Sequence, residues 1–198
     1  MDQHLSRDGR KYIIRQPNET DAAGIIHYSK ILFASTDQVL TTPEEYAITI
    51  ENEKIWINDF IKNSNSLLLV AEYESQIIGM LFFVPNSKKK NSHTGEFGVN
   101  VHPEFQGIGI GRKLIQMLID WAKENSKIEK VTLSVFATNK KAIQLYRNLG
   151  FIEEGRLVKS IKQISGEYVD TLLMYLETNC SLRHNQKPYE FNSSGEKN

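Results

Sequence analysis

The sequence predicts one α/β domain built on a mixed sheet. Between residues 12 and 177 the apolar pattern switches repeatedly between a period of two and a period near 3.6, with no internal repeat and no linker. The order it spells is strand, helices, three strands, helix, strand, helix, two strands. The chain has 198 residues, 40% of them apolar. A chain of that size buries roughly 70% of the surface its unfolded form exposes, enough for a core without disulfides.

Residues 1–11 are polar and are expected as an N-terminal arm outside the domain. Tyr12-Ile-Ile-Arg15 is a short strand, followed by the turn-like Gln16-Pro-Asn18 and a short helix over about 21–30. Thr42-Pro43-Glu44-Glu45 has a capping-box spacing, with Pro at the first helical position. With Tyr46, Ile50, Trp56 and Phe60 at roughly helical spacing, it predicts one broken helix, or two, from Pro43 to Lys62. Leu67–Tyr73 and Ile77–Val84 are β-rich runs joined by Glu74-Ser-Gln76, which reads as a hairpin. Ser87 to His93 is a solvated basic loop, and Glu96–Val101 is a third strand that ends before Pro103. Leu114, Ile115, Leu118, Ile119 and Ala122 mark one face of a helix over 112–126. Lys130–Val135 is a strand, and Lys140–Leu149 a helix stopped by Gly150. Two strands, about Arg156–Gln163 and Tyr168–Leu176, flank Ser165-Gly166. Residues 178–198 form a polar tail without apolar period.

Several classes are excluded on composition. Lys and Arg number 24 against 24 Asp and Glu, so the net charge is zero, which argues against bulk nucleic-acid binding. The longest mostly apolar run, Ile77 to Val84, is far shorter than the ~20 residues of a membrane span. Met1 to Arg10 has no apolar core of a secretory signal, and the single Cys180 allows neither an internal disulfide nor a multi-cysteine zinc site. His93 and His102 have no partner at metal-ligand spacing, so no metal is expected. A cytoplasmic protein is the expectation.

The stretch that carries chemistry is Val101-His-Pro-Glu-Phe-Gln106-Gly107-Ile108-Gly109-Ile110-Gly111-Arg112, between a strand and an amphipathic helix. Glycines at every second position let the backbone turn tightly and approach a ligand without Cβ obstruction. The first N–H groups of the helix are unpaired and its dipole favours negative charge, so the unit is either a pyrophosphate cradle or a plain tight turn. It is not a Walker loop, because Gly111 is followed by Arg112-Lys113-Leu114. It is not a Rossmann fingerprint either: the spacing is Gly-x-Gly-x-Gly, and Phe136-Ala-Thr-Asn139 ends the next strand without an acid.

Val101–Arg112 resembles the Val-x-x-x-x-Gln/Arg-Gly-x-Gly-x-Gly/Ala signature of the GNAT superfamily of acyl-CoA-dependent N-acyltransferases. Asn139-Lys-Lys-Ala142-Ile143-Gln-Leu145-Tyr146-Arg-Asn-Leu-Gly150-Phe151 is similar to its second signature, Asn-x-x-Ala-x-x-Leu-Tyr-x-x-x-Gly-Phe. Glu153-Glu-Gly-Arg and Tyr168 to Met174 are similar to its polyamine and ribosomal-protein branches. The resemblance implies a GNAT-like fold: a central mixed, mostly antiparallel sheet flanked by helices. It implies acetyl-CoA as cosubstrate, a primary-amine acceptor such as a polyamine or a protein amine, and a homodimer.

The residue chemistry agrees. N–H groups from Gly107 through Ile108, Gly109, Ile110 and Gly111 to Arg112 suit a pyrophosphate, and Gln106 opens that loop. Val99, Asn100 and Val101 are placed to pair with the pantetheine amides as an added strand would. In the family this strand splays from its neighbour, and one of its N–H groups polarises the thioester carbonyl. Asn139, near Ala142, looks like the side chain that bonds the pantetheine arm. Tyr146 lies seven residues on, on the same helical face. Its phenol is either the acid for the departing thiolate or a packed aromatic. The carboxylate that takes the amine proton is Glu96, with Glu72 the second candidate and a strand-edge ion pair the plainer role. Lys140, Lys141 and Arg147 meet a 3′-phosphate or are merely solvated. No Cys or Ser sits beside a His in the motif region, which disfavours a covalent route. Acceptor specificity is expected from the helices between Asp21 and Lys62 and from the final hairpin. The rival of another class is an acyl-CoA-binding protein of the same fold that catalyses nothing.

Overall fold

The computed structural model describes residues 2–178. Eight strands form one sheet in the order β1-β2-β3-β4-β5-β6-β8-β7. They are β1 (Asp2–Leu5), β2 (Lys11–Arg15), β3 (Leu67–Tyr73), β4 (Gln76–Pro85), β5 (Thr94–Val101), β6 (Lys130–Phe136), β7 (Ile152–Lys162) and β8 (Tyr168–Glu177). Four helices flank it: α1 (Ala22–Ser35), α2 (Ile50–Lys62), α3 (Ile110–Glu124) and α4 (Lys140–Asn148). Every neighbouring pair is antiparallel except β5–β6. This is the mixed, mostly antiparallel architecture expected from the sequence.

The alternation along the strands builds two apolar layers. Leu69, Ala71, Leu81, Phe83 and Phe97 pack with Leu114, Ile115 and Leu118 of α3 and with Ile143 of α4. On the opposite face, Leu68 and Val70 pack beneath Ile25 and Leu32 of α1 and Ile57 and Phe60 of α2. Trp56 and Phe60 both stack edge-on against Phe82 there. Glu53 of α2 is buried in this layer at 4% exposure, and burial raises its carboxyl pKa. Among the described residues no helix is long and apolar enough to cross a membrane.

Two expectations fail for identifiable reasons. The N-terminal arm is not loose: Asp2 to Leu5 pair with Ile14 to Lys11 as an edge strand. Its apolar signal is absent because Leu5, its one aliphatic residue, points outward at 67% exposure. At Thr42 half of the capping box forms, Glu45 Oε2 accepting from Thr42 N–H at 2.9 Å, yet no helix follows. The Tyr46 ring instead packs edge-on against Phe33 at 4.8 Å. That contact holds the segment as a turn, and the helix starts at Ile50, capped by Thr49. A capping turn alone does not offset the cost of nucleation. The polar tail from residue 179 onward, with Cys180, lies outside the described residues.

Candidate active site

The site grows from one defect in the sheet. β5 and β6 pair only through Thr94, Gly95 and Glu96, opposite Lys130, Val131 and Thr132. Beyond that row the strands part, β5 staying with β4 to Val101 and β6 staying with β8 to Phe136. The splay leaves one edge of β5 unpaired over its second half.

Hydrogen-bond alternation decides which groups face that gap. His102 N–H donates to Ile78 O at 2.8 Å, so the even-numbered residues of β5 bond to β4. Val99 and Val101 therefore present their N–H and C=O groups to the crevice, while those of Asn100 are engaged by Met80. This corrects the expectation for Asn100, whose backbone is turned away from the gap. The Val101 carbonyl is itself taken by Gln106 Nε2 at 3.0 Å, which closes the base of the next loop.

That loop opens α3. Gly107 and Gly109 have φ of +78° and +103°, where a side chain is strained. A Cβ at Gly107 would meet nothing within 4 Å, and one at Gly109 only the Arg7 side chain, so the protein leaves both faces open. Gly111 differs. Its φ is ordinary, it lies in the first turn of α3, and a Cβ there would sit 3.6 Å from Val101. The first helical bond runs from Lys113 N–H to Gly109 O at 3.1 Å. The N–H groups of Ile110, Gly111 and Arg112 thus meet no protein acceptor among the described residues, and no side chain caps the helix. Ile108 points its carbonyl away, to Arg7 N–H at 3.0 Å. The cradle suits an anionic diphosphate.

Across the splay stands α4. Asn139 is its cap residue, Oδ1 accepting from Ala142 N–H at 3.1 Å, which leaves the side-chain amide group of Asn139 as the donor for a ligand. Tyr146 is 8% exposed, its ring edge-on to Phe97 at 6.1 Å and to Phe151 at 6.0 Å. Burial pushes its phenol up to about 12. No protein group among the described residues bonds its hydroxyl. Arg147 lies within 3.5 Å of Glu153, whereas Lys140 and Lys141 are exposed.

The two carboxylates part company. Glu96 is exposed in the last paired row, at the apex of the splay. Glu72 accepts from Arg15 Nε at 2.8 Å, and the same guanidinium grips both oxygens of Asp21. That pairing removes Glu72 as a candidate base. His102 Nδ1 accepts from Glu104 N–H, an ordinary capping role. Among the described residues no group of three His, Cys, Asp or Glu converges on a metal position.

Beside Phe136, where the splay is widest, lies a cleft of about 770 Å³. Its walls are the α1–α2 connection and the β7–β8 hairpin, the two regions from which acceptor specificity was expected. Gln163 Nε2 donates to Asp37 O at 3.2 Å and Thr138 Oγ1 to Gln38 Oε1 at 3.0 Å, tying the connection to the hairpin and to the start of α4. Sequence reasoning named none of these contacts, because nothing local marks a contact between positions this far apart.

Residues 33–151 match the acetyltransferase (GNAT) family. The chain belongs to that family. It is 31% identical over 133 residues to a spermidine N(1)-acetyltransferase of Vibrio cholerae, covering 67% of this chain and 75% of that one. To an L-amino acid N-acetyltransferase of Escherichia coli it is 26% identical over 141 residues, covering 69% and 86%. A putative acetyltransferase of Salmonella typhimurium, solved with its cofactor acetyl-CoA, shares the fold with a TM-score of 0.76 at 23% identity, over 90% of this chain and 98% of that one. As a GNAT acetyltransferase this chain is an enzyme, and the glycine loop and α4 are its family signatures set in three dimensions.

Proposed function

We propose that this GNAT enzyme transfers an acetyl group from acetyl-CoA to a primary amine by direct attack, with both substrates bound together. The observation that carries the reading is the splay of β5 from β6 beside the open glycine loop. It sets an open glycine loop beside unpaired backbone groups of β5 and a gap between the two strands.

Acetyl-CoA supplies the activated acyl group, an extended amide-bearing arm and the anionic end. The cradle fits that end because Gly107 and Gly109 present backbone where a Cβ would otherwise stand. N–H groups of Ile110, Gly111 and Arg112 hold the diphosphate, and the exposed Lys140 and Lys141 at the start of α4 add positive charge. Val99, through its N–H and C=O, and Val101, through its N–H, pair with the arm as a missing strand would, and the Asn139 amide group adds a donor. The Val99 N–H lies where negative charge grows on the carbonyl oxygen.

In the transfer an N–C bond forms and the C–S bond breaks. Glu96 takes the proton that the amine loses, directly or through a water molecule. Tyr146 serves the sulfur. A phenol raised by burial stays protonated throughout the working range and is a weaker acid than the departing thiol, so complete transfer to the thiolate is uphill. Its main role is therefore to hydrogen-bond the departing thiolate, the proton passing over as the product leaves.

The test is thiol release from acetyl-CoA across amino acids, polyamines, aminoglycosides and peptide N-termini. Turnover with at least one class is expected. Binding of acetyl-CoA with no turnover on any amine would make the chain a binding module.

A further inference from the structure

We propose that the phosphate monoester on the ribose of acetyl-CoA is held by Arg7, Arg112 and Lys113, in a basic pocket on the flank of α3 that faces the first hairpin. The proposal rests on acetyl-CoA occupying the glycine loop, and it adds the residues that tell CoA from its 3′-dephospho form.

The pocket has a volume of about 370 Å³. Gly109, Arg112, Lys113 and Gln116 line it from the start of α3, and Arg7 and Tyr12 from the β1–β2 hairpin. Spacings of three, four and seven put those α3 residues on one face of the helix. Gly111 lies on another face, where a Cβ would sit 3.9 Å from Leu145 of α4. The pocket therefore opens on the side of α3 away from α4, and Gly109 belongs both to it and to the glycine loop.

Its charge is all of one sign. No Asp or Glu lines it, and among the described residues Arg7, Arg112 and Lys113 form no ion pair. Neighbouring acids are engaged elsewhere. Asp8 pairs with Arg10 at 3.0 Å, and Asp120 accepts from Gln116 Nε2 at 2.9 Å. Arg112 and Lys113 also oppose their own helix. The first turn of α3 holds no acid, although the dipole favours negative charge at that end and disfavours cations. A bound anion removes this conflict.

Arg7 adds a cation from outside the helix. Its N–H holds the Ile108 carbonyl at 3.0 Å, and its Cγ lies 4.0 Å from where a Cβ on Gly109 would stand. Its stem thus borders the open face of the loop, over which the nucleotide end passes from cradle to pocket. Arg7 lies outside residues 33–151, the part that matches the family. A phosphate monoester brings up to two negative charges and three acceptor oxygens, which suit two arginine forks and a lysine. On the other side, Lys140 and Lys141 stand at the start of α4, and Arg147 is taken by Glu153 at 3.5 Å.

The experiment is titration calorimetry of the full chain with CoA and with 3′-dephospho-CoA, which share the diphosphate and the pantetheine arm. The parent should bind CoA at least about tenfold more tightly. The double variant Arg112→Gln, Lys113→Gln should bring that ratio to within about threefold, by weakening CoA while leaving dephospho-CoA unchanged. Arg7→Ala should weaken CoA alone, by about twofold. Lys140→Gln with Lys141→Gln should weaken both ligands alike and keep the ratio. Equal affinities in the parent, an unchanged ratio in the Arg112 and Lys113 variant, or a ratio lost with Lys140 and Lys141 would overturn the proposal and leave the glycine loop as the diphosphate site. Binding of neither ligand would overturn the acetyl-CoA reading of the loop, and this proposal with it. Selective binding of CoA without turnover of any amine would overturn acetyl transfer and uphold the pocket.

Discussion

The Arg7 N–H donates to the Ile108 carbonyl at 3.0 Å, so the first hairpin of the chain braces the loop that opens α3. The bond turns the Ile108 carbonyl toward the hairpin and away from an incoming anion. Arg7→Pro removes this donor, and Arg7→Ala keeps it. We expect CoA affinity to fall about 3- to 10-fold in Arg7→Pro, the ~0.7–1.4 kcal/mol of one hydrogen bond. A smaller loss is expected in Arg7→Ala. Titration calorimetry checks this, and equal affinities in the two variants would show that the brace does not shape the loop.

The glycines separate by conformation. Gly109→Ala forces a side chain to φ of +103° and fills the open face of the cradle, so CoA affinity should drop at least tenfold, about 1.4 kcal/mol. Gly111→Ala meets ordinary contacts and gains helix propensity. Its melting temperature should equal or exceed that of the parent, by up to ~1 kcal/mol of stability, with CoA affinity kept within threefold. Equal losses in both variants would mean that the diphosphate does not lie over Gly109.

Buried Glu53 predicts a pH effect. Burial raises its carboxyl in the folded chain above the unfolded value. Its contribution therefore favours folding fully below the unfolded pKa and is lost as pH rises through the raised one. Glu53→Gln carries no charge into the layer under α2. At pH 7.5 the variant should melt roughly 2–4 °C higher, on the order of 1 kcal/mol. The difference should close near pH 4, where the parent carboxyl is protonated. A variant that melts lower at pH 7.5 would mean that the ionised carboxylate has a stabilising partner.

Glu96 tests the base. Glu96→Gln should slow transfer most near neutral pH and less at high pH, where the free amine is abundant, with losses of ~10²–10⁴-fold at the low end of the profile. A small loss that is uniform with pH would leave Glu96 as a strand residue and assign the proton to water.

Most of the fold was legible because α3, β3, β4 and β8 carry their period in consecutive residues. Leu114, Ile115 and Leu118 mark a helix face wherever the rest of the chain goes. The loop and α4 were legible for a different reason: Gly107, Gly109, Asn139 and Tyr146 do their work within one turn or one helix. What the sequence could not carry is pairing. β1 has no apolar face of its own, and Thr42 begins a turn that Tyr46 and Phe33 then capture. The orientation of Asn100 follows from a bond between His102 and Ile78, which only the assembled ladder shows. Glu72 lost its candidacy to Arg15, 57 positions away.

The central claim is that the crevice beside β5 performs the transfer and that the Tyr146 hydroxyl serves the leaving sulfur. Tyr146→Phe keeps the ring packed between Phe97 and Phe151 and removes only the hydroxyl. The most direct measurement is the steady-state rate of this variant with any accepted amine, taken beside its CoA affinity and melting temperature. The account predicts a kcat lower by roughly 10- to 1,000-fold, with affinity and melting temperature nearly unchanged. Normal turnover in a variant that melts lower would contradict it, because the hydroxyl would then be structural and the sulfur served by water.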